Sequence, residues 1–166
     1  MAATYEPIAT TTLGSSQSSV TFSSISGSYT DLIAVFNGSN DGTTQYFLQV
    51  GNGSIDTGSN YSTTVLDGNG SSAASGRYTN DTVGIRADYY ATGGGNKKMS
   101  IFQLNNYSNS TTYKTVLVRS ALPATEVVAT VGLWRSTSAI NIVRFTCTSG
   151  YYETGSTFTL YGIKAA

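Results

Sequence analysis

The sequence predicts an all-β protein: a single antiparallel, jelly-roll-like β-sandwich of about eight to ten short strands. Two observations carry that prediction. Apolar residues fall in short runs bounded by clusters of Gly, Asn and Ser, and no stretch of helical length holds a 3.6-residue apolar period. Charged residues make up only 11% of the 166, against about 25% in ordinary soluble domains, and Ser, Thr, Asn and Gly take their place. Such residues suit exposed strand faces and turns, and they leave no material for long charged helices.

The strongest signal is Val127 to Phe145, VVATVGLWRSTSAINIVRF. Val127, Ala129, Val131 and Leu133 alternate in its first half, and Ile140, Ile142, Val143 and Phe145 fill the second. Successive strand residues point to opposite faces, so the segment predicts a β-hairpin apolar on both sides. Arg135 to Ser138 form its surface turn, and Trp134 sits at its mouth.

The other elements are read in chain order. Tyr5-Glu6-Pro7-Ile8 opens the chain with a proline suited to an edge or a strand start. Val20 to Phe22 is a short strand. Asp31 to Phe36 is nearly continuously apolar, as in a strand covered on both faces. Tyr46 to Val50, Tyr61 to Leu66 and Val83 to Ala87 alternate. Met99 to Asn105, Tyr113 to Arg119 and Thr157 to Ile163 complete the strands, while Asp67 to Gly76 and Thr92 to Asn96 read as loops. Uniform composition gives one domain over 1–166, with residues 1–12 as a candidate N-terminal arm.

Several function classes lose support. Nine basic and nine acidic residues are scattered without a basic patch, which disfavours nucleic-acid binding through phosphates. No apolar run approaches a membrane span, and the first residues lack the pattern of a signal peptide. The expectation is a protein made and kept in a cytoplasm, with no membrane partner. There is no histidine, the commonest general base and metal ligand. Cys147 reads as a buried strand thiol. Most acids stand beside turn-forming residues, where Asp bonds its own backbone. Gly93 to Gly95 lack the context of a phosphate cradle. No catalytic residue, metal ligand or cofactor is assigned.

Tyrosine is overused, twelve against six Phe and one Trp. The pairs Tyr89-Tyr90 and Tyr151-Tyr152 place at least one ring of each on an outer face, as a sugar platform, a subunit interface or a core rim. The interface candidates are Trp134 and Arg135 at the hairpin mouth, with Tyr5, Pro7 and Ile8 in the N-terminal segment, because aromatic and Arg residues anchor buried contacts.

Five segments carry a family resemblance. They are YEPIATTTL from Tyr5, DTGSNYS from Asp56, NYSNSTTYKTVL from Asn106, GLWRSTSAIN from Gly132 and GSTFTLYGIK from Gly155. Together they resemble small virion proteins of tailed bacteriophages, notably aquatic phages including cyanophages. The resemblance implies a non-enzymatic β-sandwich on the particle, assembled in the host cytoplasm. One position it implies is a capsid decoration (cement) protein, a homotrimer on the capsid exterior that stabilises the lattice of the major capsid protein. The other is a tail-fibre or receptor-binding protein that contacts host surface glycans.

Overall fold

The computed structural model describes residues 4–88, 94–122 and 125–164. Among them it contains no helix and thirteen strands, all antiparallel. In chain order these are β1 (Tyr5–Thr12), β2 (Ser19–Phe22), β3 (Asp31–Gly38), β4 (Tyr46–Asn52), β5 (Ser54–Ile55) and β6 (Tyr61–Gly68). They continue with β7 (Ala73–Asp81), β8 (Ile85–Arg86), β9 (Lys98–Leu104), β10 (Lys114–Leu122), β11 (Glu126–Trp134), β12 (Ile142–Cys147) and β13 (Thr157–Ile163). One sheet runs β1-β13-β3-β9-β10-β11-β6-β7, and the other runs β2-β12-β4-β5 with β8 also on β4. The architecture is the jelly-roll-like sandwich that the sequence predicts.

Alternation decides which side chains enter the sandwich. On β10, Val116, Val118 and Leu122 are buried while Thr115, Leu117 and Arg119 face out. On β3, Leu32, Ile33, Ala34 and Phe36 are buried and Val35 is half-buried, so its apolar run is covered along most of its length. An aromatic cluster of Phe36, Tyr46, Phe102, Phe145, Tyr152 and Phe158 fills one part of the interior, with neighbouring ring centroids 4.9–5.8 Å apart. Burying each such ring contributes roughly 1.5–3 kcal/mol. Tyr61 ties the two sheets by polar contact. From β6 its hydroxyl meets both backbone groups of Val50 on β4, accepting from the N–H at 3.1 Å and lying 2.9 Å from the carbonyl oxygen.

Two expectations need correction. Val127 to Phe145 is not a hairpin, because β11 belongs to the larger sheet and β12 to the smaller one. Arg135 to Asn141 carry the chain from one layer to the other. Val128, Thr130 and Trp134 supply the buried face of β11, whereas the alternating Val127, Ala129 and Val131 face outward. Asp67 to Gly76 is also not all loop. Its second half begins β7, an edge strand with no apolar alternation to announce it. With β5 and β7 unannounced in the sequence, the described strands number thirteen, above the expected eight to ten.

Candidate functional site

The sequence between β4 and β6 turns tightly. Gly53 takes φ +72°, a left-handed conformation that favours glycine, and its N–H donates to Asn141 Oδ1 at 2.7 Å. Asp56 then organises the following loop. Its Oδ1 accepts from the Gly58 N–H at 2.8 Å, and its Oδ2 accepts from Asn60 Nδ2 at 2.8 Å and Trp134 Nε1 at 2.7 Å. Burial pushes the Asp56 carboxyl pKa up, but the bonds from Trp134, Asn60 and Gly58 outweigh that and hold it below the usual carboxylate range. The carboxylate therefore stays ionised at neutral pH.

These contacts shape a polar depression of about 380 Å3 at one end of the sandwich. Asp56 and Trp134 are part of its wall, and Asn52, Ser54, Thr57 and Ser138 also line it. Asn52 is fixed by its Nδ2 bond to the Ala139 carbonyl at 2.7 Å. Ser54, Thr57 and Ser138 are exposed, and their hydroxyls bond to no other described residue. A carboxylate offers about four acceptor positions, and three on Asp56 are used, so one remains for a ligand hydroxyl. The site is thus neutral in its donors, anionic at one point, and built on a held floor. A larger concavity of about 470 Å3 lies on the outer face of the eight-stranded sheet, but its lining is mainly apolar, with Leu66, Leu117, Ala129 and Val131.

The residues anticipated from sequence are dispersed. Trp134 is 2% exposed and belongs to the core, so it offers an indole N–H to Asp56 rather than a surface. Arg135 clamps the same end: its guanidinium reaches the Ser62 hydroxyl, the Ser59 carbonyl and, at 2.9 Å, Asn80 Oδ1. Tyr5, Pro7 and Ile8 lie on β1, with four strands between it and β11 in the sheet. Tyr5 and Pro7 are exposed, and Ile8 packs on the core. Of the tyrosine pairs, Tyr151 faces solvent and Tyr152 is buried, while Tyr89-Tyr90 and Gly93 lie outside the described residues. The sequence reading missed Asn52, Ser54 and Ser138; its reading of Asp56 as a turn acid agrees with the Gly58 N–H bond but did not include the bond from Trp134. Nothing local marks a bond between residues 78 positions apart.

No family model and no curated protein match the chain. Among solved structures it is similar to the galectin LEC-6 of Caenorhabditis elegans, at 7% identity and TM-score 0.39 over 94% of this chain and 96% of that one. It is similar also to CG-16, a homodimeric agglutinin from chicken liver, at 11% identity and TM-score 0.38 over 84% and 98%. A third is the marine PL-14 alginate lyase from Aplysia kurodai, at 11% identity and TM-score 0.37 over 86% and 72%. This corrects the capsid decoration reading. Nothing in these comparisons points to a capsid decoration role, and that reading is withdrawn.

Proposed function

We propose that the chain is a non-enzymatic binding module for neutral glycans, with the end depression as its site. The observation that carries this reading is the set of unengaged hydroxyls of Ser54, Thr57 and Ser138 above the Asp56 floor. Uncharged hydroxyls with one spare carboxylate acceptor match the donor–acceptor pattern of a sugar, and the lining offers no cation to a phosphate or a polyanion. A volume of about 380 Å3 falls within the ~300–1,000 Å3 usual for small-molecule sites.

The lining supports binding without turnover. Asp56 is the one acid among the residues that line the depression, whereas glycoside hydrolysis ordinarily needs two carboxyl groups across the scissile bond. The resemblance to tailed-phage virion proteins supports a place on the host-facing tail, as a receptor-binding component that touches host surface glycans.

A glycan array followed by NMR titration tests the reading. A neutral oligosaccharide should shift the amides of residues 51–58 and 134–138. The triple variant Ser54→Ala/Thr57→Ala/Ser138→Ala, which removes no internal bond of the fold, should weaken binding by about tenfold or more. Binding that ignores the triple variant, or an array with no neutral glycan retained, overturns it.

A further inference from the structure

Of the eight large apolar side chains that are substantially exposed among the described residues, five lie together on the outer face of the eight-stranded sheet. They are Leu66 (61% exposed), Val127 (63%), Val131 (52%), Leu117 (42%) and Met99 (46%). Ala129 and Ile101 continue the patch, and the apolar groove of about 470 Å3 runs through it. Contiguous apolar surface of this kind marks a contact.

We propose that this face pairs with the same face of a second copy of the chain, about a twofold axis parallel to the strands between β11 and β6.

The register of the sheet carries the choice of occupant. Ladder pairing sets three outward rows across β10, β11, β6 and β7. They are Arg119–Ala129–Leu66–Ser75, Leu117–Val131–Thr64–Arg77 and Ala121–Val127–Gly68–Ala73. A twofold along the strands reverses each row onto itself. Leu66 then meets Ala129 of the second copy, Val127 meets Gly68, and Val131 meets Thr64. Leu66 and Val127, the two most exposed of the five, thus each face a small residue, which is how two sheets interdigitate at about 10 Å spacing. The same operation keeps like charges apart. Arg119 falls opposite Ser75 on the edge strand β7, and Arg77 lies across Leu117. Both guanidinium heads stay at the rim while their stems cover apolar surface. No carboxylate sits in these rows, so pairing buries no acid.

The area also fits. Four strands spaced ~4.8 Å apart and about 30 Å long present on the order of 600 Å2 in plan. Side-chain relief raises the accessible surface toward the ~800 Å2 per partner of a stable complex. The depression at Asp56 opens at the end of the sandwich and stays uncovered, so a pair carries two sites and gains by effective concentration.

Sedimentation equilibrium of the full chain, with dilution followed by NMR, tests this. The expected species has twice the 17.4 kDa chain mass, and dilution should shift the amides of β10, β11, β6 and β7. Leu66→Glu and Ala129→Glu, each at an outward position, should weaken association at least tenfold with an unchanged far-UV circular dichroism spectrum. A monomer at 100 µM, a trimer, or a dimer whose dilution shifts fall on other strands overturns the proposal. The dilution measurement uses the unaltered chain, so it decides even where a variant fails to fold.

Discussion

Lys98 Nζ lies 2.8 Å from Asp88 Oδ2, and neither side chain is reached by water. Lys98 comes from the start of β9, and Asp88 follows β8. Asp88 also accepts from the Tyr46 N–H at 3.2 Å, and Glu126 Oε1 stands 3.5 Å from the same ammonium. Removing one partner of a buried pair leaves an uncompensated charge, which costs about 3–5 kcal/mol. Lys98→Met should therefore lower unfolding free energy by roughly that amount in urea titration. The loss should shrink at low pH, where Asp88 takes up a proton. A loss below about 1 kcal/mol at neutral pH would show the pair to be energetically idle.

The acids around Lys98 predict an unusual pH dependence. Burial pushes Asp88 up to about 6 against the pull of Lys98. Burial likewise pushes Glu126 up to about 7; Lys98 opposes this, while Asp67 and Asp88 add to it. Asp67 Oδ1 is buried without a donor, and a proton on the neighbouring Glu126 supplies one. Both carboxyls bind protons more tightly in the folded chain. Their contribution is complete below the unfolded values near 4 and is lost as pH rises through about 6 to 7. Stability should fall from about pH 4.5 to 7.5 by on the order of 1–3 kcal/mol per group. Glu126→Gln should flatten that slope, and a wild-type melting temperature that climbs across this window would contradict the assignment.

How much of this was legible in the sequence depends on range. Thr157 to Ile163 is β13 to the residue, because period-two alternation is a local signal. The sheet to which a strand belongs is not local. β11 and β12 both look apolar enough to pair, yet the seven residues between them span the layers. The apolar alternation of Val127, Ala129 and Val131 points to a core face, and the fold puts it outside. The Lys98 cluster draws on residues 67, 88, 98 and 126, each ordinary in its own segment. Burial alone makes them a group.

Gly132 sets the gap between the sheets at β8. A Cβ at this position would stand 2.4 Å from Cγ2 of Ile85, itself fully buried. The backbone of β11 thus lies directly against the Ile85 side chain. Gly132→Ala must displace a fully buried side chain, and overpacking of this kind costs typically about 1–3 kcal/mol. In an Ile85→Ala background, which lacks Cγ2 and Cγ1, the atoms nearest the new Cβ, the cost of Gly132→Ala should shrink. Differential scanning calorimetry of the single and double variants reads the coupling, and strictly additive effects would deny the contact.

Trp134 and Asp56 join the core to the candidate site, so their bond should govern both stability and ligand affinity. Trp134→Phe keeps an aromatic ring but removes the 2.7 Å donor, and about 1–3 kcal/mol of stability should go with it. Asp56 is held below its ordinary pKa in the folded chain. Its contribution is therefore full above the unfolded value and lost as pH falls through the folded one. Without the indole N–H the folded value moves up toward the unfolded one, so the acid-dependent loss is smaller and is complete at higher pH. Carboxyl-carbon NMR titration of Asp56 in both proteins measures the shift directly. The same variant should weaken glycan binding, because Gly58 and Asn60 no longer share a fully anchored carboxylate. An unmoved Asp56 titration would mean that the indole bond does not set the carboxylate's charge state, and that the floor of the depression is held by the loop alone.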